Sequence, residues 1–180
     1  MAGYYYLISS LPALAADGEP AIKLAEFMEQ CGEWLSPDEM QELSRLDLVP
    51  ANDDPADLSG PALAWHDWET CLRNAIARHR GASGQDVESA LRYELDCYGE
   101  IEAGVQEAWS QTDPLERERV LYRLRWRFLD DLESGHNFDF HLLAAYKLKL
   151  LLREKWVALN VAAGRGNLTA TVAQIEQKNT

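Results

Sequence analysis

Phe138-Asp139-Phe140-His141-Leu142-Leu143-Ala144-Ala145-Tyr146-Lys147-Leu148-Lys149-Leu150-Leu151-Leu152-Arg153-Glu154-Lys155-Trp156 is the stretch that decides the fold. Its leucines, alanines and aromatic rings fall on nearly every side of a helix rather than along one stripe. A helix apolar around most of its circumference must be covered, either by the rest of its own chain or by another. The pattern predicts a central helix from about residue 138 to Ala163, stopped by Gly164 as a left-handed cap, with a short terminal helix from Leu168 to Gln174.

The preceding segments supply the helices that would cover it. Thr112-Asp113-Pro114 with Glu116 reads as a helix start, and Leu115, Val120, Leu121, Leu124, Phe128 and Leu132 follow as its buried face, up to Gly135. Asp86 to Trp109 carries Val87, Leu91, Leu95 and Tyr98 on one stripe; Gly99 and Gly104 would bend it or mark close packing. Ala62 to Arg80 repeats Leu63, Trp65, Trp68, Leu72 and Ile76 at helical steps. Ser36-Pro37-Asp38-Glu39 is a capping box for a short helix through Leu46, and Pro20 suits the first position of a helix ending near Gly32. Tyr4-Tyr5-Tyr6-Leu7-Ile8 is aromatic and β-branched and is expected to be extended. The expected fold is all-α: an antiparallel helical bundle with a short extended N-terminal segment. It forms one helical domain over 1–180, with an acidic subregion over 1–60 and an exposed loop over 49–61.

Charge narrows the partners. The chain of 180 residues has a net charge of −13, and its first 60 residues hold twelve acids and two bases. Phosphate attraction is disfavoured, so nucleic acid is not expected as a partner; a basic protein surface suits the acids, which otherwise serve solubility. Cys31, Cys71 and Cys97 form no CxxC pair and fit a reducing compartment. No basic residue precedes the apolar run of Met1 to Leu14, and charges interrupt the most apolar segment. A cytoplasmic protein without direct membrane insertion is expected.

Catalysis is not expected. GxSxG, HExxH and GxxxxGK are absent from the sequence, so hydrolase and nucleotide-binding classes lack their signatures. His136 and His141 flank Asp139, but helix neighbours on one face lie three or four residues apart, and these imidazoles are separated by five. No metal, catalytic or cofactor residue is assigned, although an unrecognised enzyme site around His136, Asp139 and His141 is the third reading of the chain. Arg117, Arg119, Arg123, Arg125 and Arg127, in the company of Tyr122, Trp126 and Phe128, make a protein-contact composition on one helix; the contact candidates are Arg119, Arg123, Trp126 and Arg127 there and Tyr146, Lys149 and Arg153 on the next. The same residues also suit a helix whose arginines pair with local acids while its aromatics form core.

Residues 138 to 150, followed by Leu159-Asn160-Val161-Ala162-Ala163-Gly164-Arg165-Gly166-Asn167-Leu168, resemble the end of a helical repeat in the socket protein of V-type ATPases, known as their C or d component. The chain is also similar to a short bacterial family of unassigned function found with V-type ATPase genes, whose members begin with a Tyr-rich segment like Tyr4 to Pro12. The resemblance implies a non-catalytic structural, accessory or assembly component of a rotary ATPase in proton or sodium ion transport. Its partners would be V-type ATPase subunits of the central stalk or membrane ring, it would need no cofactor, and it would sit in the cytoplasm at the periphery of the inner membrane. The larger relative is a threefold-repeated socket, and this chain is too short to build it alone. The remaining alternative is a generic acidic helical adaptor for a basic protein.

Overall fold

The computed structural model describes residues 2–18, 20–50, 57–81, 91 and 99–159. Among them are seven helices and no strand: α1 (Ala2–Ser10), α2 (Leu24–Trp34), α3 (Pro37–Arg45), α4 (Gly60–Gly81), α5 (Gly99–Ser110), α6 (Pro114–Glu133) and α7 (Phe140–Ala158). The all-α expectation holds. Gly164, the terminal helix expected from Leu168, residues 51–56 of the expected loop and most of the first part of the Asp86–Trp109 helix lie outside the described residues, although Leu91 is described and is not helical. The helix expected to reach Ala163 ends at Ala158, with Leu159 as its C-cap, and the loop expected over 49–61 is cut short by α4, which begins at Gly60 and buries Pro61.

α7 is the centre. Every residue from Leu143 to Leu150 is buried, so the rest of the chain covers the apolar circumference. α6 runs antiparallel to it: Lys149 reaches Asp130 and Glu133, whereas Trp156, a turn or two further along, meets Tyr122 at 4.9 Å between ring centroids. α5 runs antiparallel to α6 in the same way, with Gly104 against Leu124 and Trp109 against Arg117. Gly104 is a site of close packing: a Cβ there would lie 2.6 Å from Leu124 Cδ2. α4 adds Trp65 and Trp68, both essentially fully buried, and Trp68 stacks on Phe128 at 4.6 Å. Burying each such ring contributes about 2–3 kcal/mol.

The helix starts follow side-chain chemistry. Ser36 and Glu39 close the expected capping box on α3, and Pro37 takes the first turn. Asp113 accepts the Leu115 amide at 2.9 Å to start α6, and Asp139 accepts the Leu142 amide at 3.3 Å to start α7.

Two N-terminal expectations are corrected. Tyr4 to Ile8 belongs to helix α1 and is not extended. Tyr4, Leu7, Ile8 and Leu11 recur at helical spacing and face the core, with Leu7 buried, and this packing outweighs the β preference of the aromatic run. The helix expected from Pro20 begins at Leu24 instead. Its start is set from a distance, because Glu154 on α7 accepts the Leu24 amide at 2.9 Å while Lys23 provides no side-chain cap.

The acidic N-terminal part is fastened to α6 and α7 by long-range polar contacts. Tyr146 donates to the Pro12 carbonyl at 2.8 Å, and Tyr122 and Arg153 donate to the Ala16 carbonyl at 2.7 and 2.8 Å. Lys147 donates to the carbonyls of Leu43, Ser44 and Leu46 at 2.8, 3.1 and 2.7 Å, closing the C-terminal end of α3 from α7.

Candidate functional site

Three elements bring four aromatic rings together on the outside of the molecule. Trp34 from the end of α2 stacks on Tyr6 of α1 at 6.0 Å, Tyr6 meets Tyr5 edge-on at 5.8 Å, and Tyr5 meets Phe138, just before α7, at 4.9 Å. All four are exposed, between 48% and 63%. α1 turns Tyr4, Leu7 and Ile8 inward, which leaves Tyr5 and Tyr6 on its outer side. Isolated exposed aromatics need no explanation, but a joined row of them is what a partner surface covers.

The helix that ends in Trp34 is acidic: Glu26, Glu29 and Glu33 are exposed on α2, and Asp38 is exposed on α3. The Tyr4 phenol, next to the row, donates to Glu39. Burial pushes its pKa well above the usual phenol value, and the hydrogen bond and negative charges of Glu39, Asp139 and Glu42 push it further. Glu39 is held below the usual carboxylate range by hydrogen bonds from the Ser36 hydroxyl, Tyr4 and the Ser36 amide.

The contact residues expected on α6 and α7 divide into two groups. Arg123 and Arg127 are exposed, and Arg119 is partly exposed, pairing with Glu116 at 2.8 Å and lying over Trp156 at 5.8 Å. Trp126, Tyr146, Lys149 and Arg153 are buried at 8%, 7%, 5% and 3% exposure, and the structure takes them out of the exterior surface. Each has an internal role. Trp126 lies beneath the Lys149 ammonium, Lys149 pairs with Asp130 and Glu133, and Tyr146 and Arg153 hold the 11–18 segment.

The structure joins the histidines that sequence spacing set apart. Gly135, at φ +84°, turns the chain sharply after α6. His136 thereby folds back over the first turn of α7, and its imidazole stacks on that of His141 at 4.1 Å with 4° between the planes. Helical spacing does not apply to the pair because His136 precedes the helix. His136 Nδ1 lies 2.6 Å from Asp139 Oδ2, and donor atoms of His136, Asp139 and His141 lie within 4.8 Å of one another. Burial acts to raise the Asp139 pKa, but the His136 hydrogen bond, the Leu142 amide and both imidazoles outweigh it and hold the carboxyl low.

Other ionisable groups are committed to structure. Glu69, fully buried on α4, takes Arg125 in a two-pronged bond, both contacts at 2.9 Å, and Arg73 at 2.9 Å. Burial raises the Cys31 thiol pKa to about 12, against the opposing charge of Lys147, so this thiol stays protonated. A cleft of about 220 Å³ between α3 and the start of α4 is lined by Asp38, Glu42, Arg45, Asp57, Trp65 and His66, among others.

Sequence reasoning did not single out the aromatic row. The available signal was that Tyr5, Tyr6, Trp34 and Phe138 all fall outside the periodic apolar sets that build the core. No helix among the described residues is long and apolar enough to cross a membrane. No curated protein and no solved structure matches the chain. Residues 89–179, about half of the length and including α5 to α7, match the family described as "Protein of unknown function (DUF2764)", and the chain belongs to that family.

Proposed function

We propose that this protein is a non-catalytic structural, accessory or assembly component of a V-type rotary ATPase, working through protein–protein contacts at the aromatic row of Trp34, Tyr6, Tyr5 and Phe138. The exposed row is the observation that carries the contact reading: its rings are joined and come from three elements, one of them the end of the acidic helix α2. Aromatic faces flanked by acids suit a partner surface rich in Lys and Arg, through ring contact and charge together. The assignment to a rotary ATPase is supported by the resemblance of residues 138–150 and 159–168 to the socket protein of those enzymes. In this reading the partners are subunits of the central stalk or membrane ring, and the protein works in the cytoplasm at the periphery of the inner membrane.

The test is co-purification of the tagged full chain from its native cells in gentle detergent, beside a Tyr5→Ser/Tyr6→Ser/Trp34→Ser variant. The proposal expects ATPase subunits with the wild-type chain and their loss with a variant that keeps its helical circular dichroism. Wild-type preparations devoid of those subunits would contradict the ATPase assignment. Salt-sensitive recovery of an unrelated basic protein would instead favour a generic acidic adaptor, since exposed charges are screened within about 10 Å at 0.1 M salt.

A further inference from the structure

We infer that His136, Asp139 and His141 form a binding site for one divalent transition-metal ion of the zinc, cobalt and nickel class. Two imidazole nitrogens and one carboxylate oxygen are a borderline-soft donor set that selects these ions over magnesium or calcium. The three donors already lie within 4.8 Å of one another. Ligands on a tetrahedral ion with bonds of about 2.0 Å stand about 3.3 Å apart, so closure requires movements of about 1.5 Å. Half-exposed side chains make such movements by small rotations, and His136 and Asp139 are 34% and 45% exposed.

Binding also turns the two imidazoles, now stacked 4.1 Å apart and 4° from parallel, out of their stack, because an ion lies in the plane of each ring that holds it. The two oxygens of Asp139 divide the work, since Oδ1 accepts the Leu142 amide and anchors α7, while Oδ2, now 2.6 Å from His136 Nδ1, turns to the ion. On one side, His141 Nε2 lies 3.6 Å from where a Cβ on Gly60 would sit, so the start of α4 closes that approach. Three protein ligands leave a coordination position for water. The site does not depend on the partner proposed above.

The experiment uses the full chain stripped with a chelator, titrated with Zn²⁺ by calorimetry and with Co²⁺ by its visible absorption. Four proteins are compared: wild type, His136→Gln/His141→Gln, Asp139→Asn and a His66→Gln/His79→Gln control. Asn still accepts the Leu142 amide, so Asp139→Asn separates liganding from helix capping. One ion per wild-type chain is expected, with tetrahedral cobalt absorption. Binding weaker by about 100-fold or more is expected in the double variant at 136 and 141, with a clear loss in Asp139→Asn and none in the control. Absence of wild-type binding, or equal binding by the 136/141 variant, overturns the site; unchanged affinity in Asp139→Asn overturns the carboxylate's place in it.

Discussion

Replacing Glu69 with Gln should be among the most damaging single changes in this protein. The Glu69 carboxylate is fully buried and holds Arg125 by two bonds of 2.9 Å, and Arg125 is itself only 9% exposed. Burial works against the charge on Arg125, but Glu69 outweighs it and keeps the guanidinium's pKa raised. Gln preserves the shape and removes the counter-charge, leaving a buried cation facing an amide. Losing one partner of a buried pair costs about 3–5 kcal/mol. With a urea m-value of about 2 kcal/mol/M, the midpoint should fall by about 1.5–2.5 M. Arg73, the other partner of Glu69, is 40% exposed and can turn to water, so it adds little to this cost. The pair is asymmetric: Arg125→Met leaves Glu69 with Arg73 and should cost less, about 1–3 kcal/mol. Glu69→Leu/Arg125→Met removes both charges and should recover most of the loss, because apolar replacement of a whole buried pair is often neutral. Urea unfolding of the wild type, Glu69→Leu, Arg125→Met and Glu69→Leu/Arg125→Met gives the cycle, with Glu69→Gln measured beside it. A Glu69→Gln cost below about 1 kcal/mol, or a double variant as unstable as the sum of the single changes, would refute the reasoning.

Lys147→Met keeps the stem of the side chain but leaves the carbonyls of Leu43, Ser44 and Leu46 without their donor; a loss of about 1–3 kcal/mol is expected in denaturant unfolding, with hydrogen exchange fastest at the end of α3. Glu39 has a lowered folded pKa, so its contribution is complete above the ordinary carboxylate pKa and is lost as pH falls through the folded value. Melting temperatures should therefore fall more steeply between about pH 5 and pH 3 in the wild type than in Glu39→Gln, which can still close the capping box. Gly32 in α2 is exposed with nothing near a new Cβ, whereas at Gly104 the Cβ would meet Leu124 at 2.6 Å. Gly32→Ala should add about 0.5–1 kcal/mol, and Gly104→Ala should gain nothing by the same assay, because displacing Leu124 cancels the helix propensity.

The caps and the central helix were legible because they depend on neighbours in the chain. Ser36 and Glu39, or Asp113 and Pro114, act within a few residues, and the leucine-rich circumference of α7 needs only its own pattern to announce burial. Failures arose where distant residues decide. Tyr4 to Ile8 reads locally as a strand, and only the core beneath Leu7 makes the helix preferable. Lys149 and Arg153 carry charge that suits an exterior surface, yet Asp130, Glu133 and the Ala16 carbonyl satisfy them inside. The start of α2 depends on Glu154, far along the chain. His136 and His141 are separated by helical arithmetic that the turn at Gly135 makes irrelevant. The aromatic row was illegible for the same reason, since Trp34, Tyr6, Tyr5 and Phe138 become neighbours only when α1, α2 and the α6–α7 turn assemble.

Site-specific photo-crosslinking in native cells tests the contact face most directly. A benzophenone amino acid in place of Tyr6, in the exposed row, is compared with one in place of Glu102, exposed on α5. Adducts to a stalk or membrane-ring subunit of the rotary ATPase from position 6, and not from position 102, are the predicted result. Position 6 yielding no such adduct, or the two positions yielding the same set of proteins, would contradict the account.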